Sequence, residues 1–150
     1  MFFMDDKDPG LIPRTLCAIL DSCVNGVTLA DPDLEDLPLV YANNAFAVMT
    51  GYTQEETIGK NCRFLQGTDQ KQEEKGLIRN AIKNAQPIEV TLRNYRKTGE
   101  LFYNRLAITP LFDSEGRVLY YLGVQYDVTK QVLAEKEIER LRAHIESLTK

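Results

Sequence analysis

Apolar residues recur at two periods along this chain, and the predicted elements change where the period changes. Leu16, Ile19, Leu20 and Cys23 fall at helical spacing and predict a short N-terminal helix with one apolar face, with Cys17 and Cys23 as packing thiols. Residues 1–10 end in Pro9-Gly10 and read as a mobile leader. Gly26 to Ala30 reads as a strand closed by a turn at Asp31-Pro32, and Pro38 to Ala42 as the antiparallel strand that returns. Asn43-Asn44 ahead of Ala45, Phe46, Val48 and Met49 predicts an Asn-capped helix stopped by Gly51. Thr53 and Glu56 are spaced as a capping box, in a turn closed at Gly59. From Asp69 to Ala85 the pattern is that of a longer amphipathic helix with Leu77, Ile78, Ala81 and Ile82 on one side.

Beyond residue 87 the pattern turns to β-branched and aromatic residues. Ile88 to Tyr95, Leu101 to Phe112 and Val118 to Val128 are separated by Lys97-Thr98-Gly99-Glu100 and Asp113-Ser114-Glu115-Gly116, two Gly-containing hairpin connections. Two strands, several short helices and three strands predict an α+β fold. One five-stranded antiparallel sheet carries the short helices on one face, because such a sheet needs only one covered side. From Thr129 to Lys150 the chain is again helical, with Thr129 placed to cap and Ile138, Leu141, Ile145 and Leu148 forming an a/d seam. The expected organisation is a leader and cap helix over 1–23, a core over 24–129 and a C-terminal amphipathic helix over 130–150.

Composition narrows the function. With 43% hydrophobic and 27% charged residues in 150, the chain is a folded domain with terminal extensions. Its net charge of -4 argues against a nucleic-acid partner held by a basic surface. No stretch approaches the roughly 20 apolar residues of a membrane helix, so no membrane association and a cytoplasmic location are expected. Three cysteines without CxxC spacing indicate neither a disulfide framework nor a metal site. His144 is the only histidine and lies in the tail without a phosphoacceptor pattern, so it receives no role.

The most informative segment is Gly59 to Gly67. Its heptapeptide Asn61-Cys62-Arg63-Phe64-Leu65-Gln66-Gly67 resembles the flavin-binding signature of LOV (light, oxygen, voltage) domains, a branch of the PAS superfamily. The resemblance extends through Ala30-Asp31-Pro32, Tyr41-Ala42-Asn43, Thr50-Gly51-Tyr52, Ile78-Arg79, Asn94-Tyr95, Phe102-Tyr103-Asn104 and Gly123-Val124-Gln125. It implies the PAS fold with flanking helices at both ends, and FMN as cofactor.

The residue types suit that ligand. If Cys62 to Gln66 form a helical turn, positions 62 and 66 share a face while Arg63 points about 100° away, toward the far end of one ligand. Arg63 and Arg79 offer planar guanidinium groups suited to the phosphate. Asn94, Asn104 and Gln125 are amides on adjacent strands that carry both donor and acceptor for the uracil-like edge of a flavin. By similarity to the family, Asn61 and Gln66 serve ribityl hydroxyls or the ring edge. Thr28 and Leu106 stand where plant phototropin LOV domains commonly carry an aliphatic residue and phenylalanine, which bears on dark-recovery rate. Gln70 and Lys75 supply no third arginine for the phosphate.

The resemblance further implies a blue-light photoreceptor rather than an enzyme, similar to bacterial short LOV proteins. Light would drive the Cys62 sulfur onto flavin C4a in a reversible cysteinyl adduct while N5 gains a proton. The Gln125 amide would answer by rotating, and Asp127-Val128-Thr129 would carry the change to the C-terminal helix or to a homodimer formed through the terminal helices. A flavin-dependent redox sensor and a PAS interaction module without photochemistry are the alternatives.

Overall fold

The computed structural model describes residues 14–149. Five strands, β1 (Gly26–Ala30), β2 (Leu39–Ala42), β3 (Ile88–Tyr95), β4 (Leu101–Phe112) and β5 (Val118–Asp127), form one antiparallel sheet in the order β2-β1-β5-β4-β3. The expected α+β class and the five strands are thus present, and β5 differs by one residue at its end. The last strand lies in the middle, covered on both faces, so its Leu119, Tyr120 and Tyr121 are all buried and it reads as a continuous apolar run.

Three helices and one 3-10 helix gather on the inner face. Helix α2 (Asn44–Thr50) begins at Asn43, whose side chain accepts from the Phe46 amide at 3.0 Å and the Val27 amide at 2.8 Å while donating to Leu20 O at 2.7 Å. One buried amide thereby caps the helix and fixes it to β1. Gly51 ends α2 in the left-handed region at φ 79, as expected of a glycine there. In α3 (Gln54–Thr57) the predicted capping box is made in both directions, each bond 3.1 Å.

Helix α4 (Glu73–Lys83) is shorter than the predicted Asp69–Ala85. The Asp69 carboxylate is taken by the Arg93 guanidinium, at 2.7 and 2.9 Å, and by the Tyr95 hydroxyl at 2.7 Å, which ties the preceding loop to β3. The apolar stripe is also narrower than predicted, since Leu77 is 55% exposed while Ala81 is buried.

The N-terminal helix α1 (Arg14–Asp21) lies on the opposite face of the sheet, where Cys17 and Leu20 pack against Leu29, Tyr41, Leu119 and Tyr120. Cys23 and Ile19 are exposed rather than packed, and the Cys23 thiol donates to Ile19 O at 3.4 Å. The predicted leader lies outside the described residues.

The C-terminal helix α5 (Thr129–Thr149) starts differently from expectation. The cap is the Asp127 carboxylate, which accepts from the Thr129 amide at 3.1 Å and its hydroxyl at 2.5 Å, while the Thr129 hydroxyl accepts from the Tyr103 amide at 3.0 Å. Lys136 reaches the Tyr103 hydroxyl at 2.8 Å and lies 5.0 Å from that ring. No α5 residue is buried, and Ile138, Leu141, Ile145 and Leu148 are 48, 45, 59 and 71% exposed, so the predicted seam has no cover among the described residues. Among the described residues no helix is long and apolar enough to cross a membrane.

Candidate functional site

Between the inner face of the sheet and α4 lies a cavity of about 360 Å³, within the roughly 300–1,000 Å³ common for small-molecule sites. Thr28, Asn61, Cys62, Arg63 and Gln66 all line it, as do Arg79, Asn94, Leu106 and Gln125. Asn104 stands behind that wall, its amide nitrogen donating to Asn94 Oδ1 at 3.0 Å.

The segment Cys62–Gln66 is a 3-10 helix and not the expected α-helical turn. Asn61 caps it, accepting from the Arg63 amide at 2.9 Å. With three residues per turn, positions 62 and 65 share one face and 63 and 66 another. The predicted sharing of a face by 62 and 66 is therefore replaced, although Cys62, Arg63 and Gln66 still reach one cavity. Leu65, beneath Cys62, is 1% exposed and anchors the segment in the core. Phe64 meets Tyr52 edge-on with centroids 5.0 Å apart.

Polarity is graded across the cavity. Gln66, Asn94, Asn104 and Gln125 are buried amides, whereas Arg63 and Arg79 are exposed at its margin. Lys75 also lines it, bonding to Gln70 Oε1. Gln125 Nε2 donates to Thr28 Oγ1 at 3.1 Å, and Asn94 Nδ2 donates to Arg93 O at 3.0 Å. Three amide oxygens, Gln66 Oε1, Asn104 Oδ1 and Gln125 Oε1, are buried without a partner. Each such atom costs about 1–3 kcal/mol when left unpaired, and Gln66 and Gln125 line the cavity, so this wall suits a ligand that brings donors. A Cβ at Gly123 would stand 2.5 Å from Thr28 Oγ1 and 3.0 Å from Gln125 Nε2, so any larger residue there would displace one or both side chains from their mutual bond. Desolvation by the surrounding protein pushes the Cys62 thiol up to about 12, which keeps it neutral.

A family model described as PAS domain matches residues 24–130. In a solved LOV domain from the Erythrobacter litoralis EL346 blue-light activated histidine kinase, 96% of the chain is covered by 70% of this one at 40% identity and TM-score 0.66. This chain belongs to the LOV branch of the PAS family. A blue-light photoreceptor of Listeria innocua is 43% identical over 124 residues, which are 83% of this LOV domain and 49% of that protein. A solved RNA-binding light-oxygen-voltage receptor is 36% identical with TM-score 0.82, over 93% of this chain and 39% of that one. The LOV domain therefore spans about half the length of the Listeria protein and less of that receptor.

Sequence reasoning missed several lining residues of this LOV domain. Lys75 lies four positions before Arg79 on α4, and that spacing puts both on one helix face. Tyr121 and Gly123 alternate with Gln125 on β5, a period-2 signal present in the sequence. Asp36 and Leu37 enter from the β1–β2 connection, where no periodicity marks them.

Proposed function

We propose that this LOV domain is a blue-light sensor that holds FMN in the cavity and signals through Cys62 and Gln125, acting as a sensory module without enzymatic turnover. The observation that carries the reading is the pair of unpaired buried amide oxygens of Gln66 and Gln125 in the cavity wall, with that of Asn104 behind them, beside a neutral thiol and with cationic side chains at the cavity margin. An isoalloxazine edge and ribityl chain bring the N–H and O–H donors those oxygens require, and a phosphate suits Arg63, Arg79 and Lys75. The cavity residues thus fit FMN. When bound, the flavin supplies blue-light absorption and an excited ring whose carbon can take up a thiol reversibly.

Cys62 supplies that thiol. Held protonated by burial, it stays unreactive in darkness, unlike the thiolate of a hydrolytic cysteine. Thr28, Leu106 and Gly123 shape the wall, while Asn61, Gln66, Asn94 and Asn104 orient the ligand. Gln125 reports the change, because its amide offers either a donor or an acceptor on rotation and Thr28 Oγ1 bonds to either. Two residues further, Asp127 caps α5 and also pairs with Arg96 at 2.8 Å, so a shift of β5 reaches the tail directly.

The core over 24–129 is the sensing unit, flanked by the helices of 1–23 and 130–150. The uncovered stripe of α5 supports a homodimer through the terminal helices, rearranged by light. The net charge of -4 favours a protein partner over nucleic acid, and the cytoplasm is the proposed location. The test is the visible spectrum of the FMN-loaded protein: flavin bands that bleach under blue light and return in darkness are expected, with FMN retained but no bleaching in Cys62→Ala. Bands that are indifferent to light in the unaltered protein would overturn the reading.

A further inference from the structure

The connection between β1 and β2 crosses the cavity margin and is fastened there through Asp36 and Leu37. Asp36 and Leu37 both line the cavity. The Asp36 carboxylate pairs with the Arg63 guanidinium, and the Asp36 carbonyl accepts from Asn61 Nδ2 at 2.7 Å. Both residues sit in the left-handed region, at φ 67 and 50, which a leucine adopts only against steric resistance. Leu37 is held there by packing on the inner core, and Asp36 by the 3-10 segment. An internal carboxylate therefore sits on a guanidinium that the flavin reading assigns to a phosphate.

We propose that Asp36 is an internal anion that occupies Arg63 and straps the 31–38 connection across the cavity margin until the phosphate of a flavin nucleotide displaces it. The inference rests on the FMN reading above. A carboxylate and a phosphate seek the same guanidinium fork and repel each other at close range, so they do not share it. Riboflavin, which lacks the phosphate, leaves the Asp36–Arg63 pair in place, whereas FMN must break it. Asp36 thus weakens FMN selectively and sets how firmly the nucleotide is retained, while the bond to Asn61 keeps the strap tethered after displacement. The two side chains are 51 and 55% exposed. A pair of that kind changes an equilibrium by up to about fivefold. Removing the carboxylate also removes its repulsion of the phosphate, for a combined effect of about three- to tenfold.

Asp36→Asn is the informative variant, because asparagine is among the residues most tolerant of left-handed backbone and keeps the side-chain size. Dissociation constants for FMN and riboflavin are measured by flavin fluorescence on the flavin-free full chain, at low ionic strength. Glu35→Gln serves as a control that removes the same charge one residue away, from a side chain that does not line the cavity. The expected result is FMN bound about three- to tenfold tighter by Asp36→Asn, riboflavin changed by less than about twofold, and Glu35→Gln close to the unaltered protein for both. FMN affinity that is unchanged or weaker in Asp36→Asn, or equal tightening by Glu35→Gln, overturns the strap while leaving the FMN reading standing. Failure of the unaltered chain to bind either flavin overturns both.

Discussion

Gln66→Met should stabilise the flavin-free protein and weaken its hold on FMN, two effects of opposite sign from one atom. Gln66 is 4% exposed and its Oε1 has no partner. An unpaired buried oxygen costs about 1–3 kcal/mol, and a methionine of similar length removes the cost without opening a large void. For a chain of this size each kcal/mol moves the melting temperature by about 2–4 °C, so flavin-free Gln66→Met should melt roughly 2–12 °C higher. With FMN present the oxygen of the unaltered protein gains a donor that methionine cannot answer. The stabilisation by FMN should fall by the same 1–3 kcal/mol, or about five- to 150-fold in affinity. Thermal melts with and without FMN, followed by the near-UV signal of the seven tyrosines, form a complete cycle. If Gln66→Met melts lower without FMN and keeps the full FMN-dependent rise, the unpaired oxygen is not part of a flavin site.

Other expectations follow from the same geometry. With its thiol pushed from 9.0 up to about 12 by burial, Cys62 in the flavin-free protein should alkylate at pH 8 at least about tenfold more slowly than an ordinary thiol, since the scarcer thiolate is only partly offset by its greater nucleophilicity. Mass spectrometry should find the exposed Cys23 modified first, and equal rates would contradict the buried placement. Asp69 is held down to about 2 chiefly by its bond from Arg93, with a second from the Tyr95 hydroxyl. Its folded value lies below its ordinary 3.8, so its stabilisation is present above about pH 4 and is lost as pH falls toward 2. Denaturant titrations should show Asp69→Asn losing stability relative to the unaltered protein at pH 6 and converging with it near pH 2, and a constant gap would refute this. Gln125→Leu should keep the light-induced bleaching and reduce any light-driven change in α5, measured by distances between spin labels on the tail. An undiminished change would exclude this route.

Much of the fold was legible because local signals and tertiary demands agree. Asn43, Gly51 and the Thr53–Glu56 box punctuate the short helices where their chemistry requires, and the two Gly-containing hairpins set the registers of β3, β4 and β5. Legibility failed where a distant partner took a side chain away from its local role. Asp69 would begin α4 on pattern alone, yet Arg93 and Tyr95 claim it from β3. Thr129 resembles a cap, but Asp127 caps α5 while the Thr129 hydroxyl serves Tyr103. The cavity side chains were readable as types, since paired arginines and strand amides state their chemistry openly. Their exact angular relation was not, because nothing in the heptapeptide distinguishes a 3-10 winding from an α-helical one. Asp36 escaped because its importance comes from a loop conformation held by residues 25 and 27 positions away.

If a neutral thiol at position 62 bonds reversibly to a photoexcited flavin, the infrared light-minus-dark difference of the FMN-loaded protein must show it in the S–H stretching region. With Cys17 and Cys23 replaced by serine, the account predicts one S–H band in darkness that disappears under blue light and returns with the visible flavin absorption. An S–H band that persists while the flavin bleaches would contradict it.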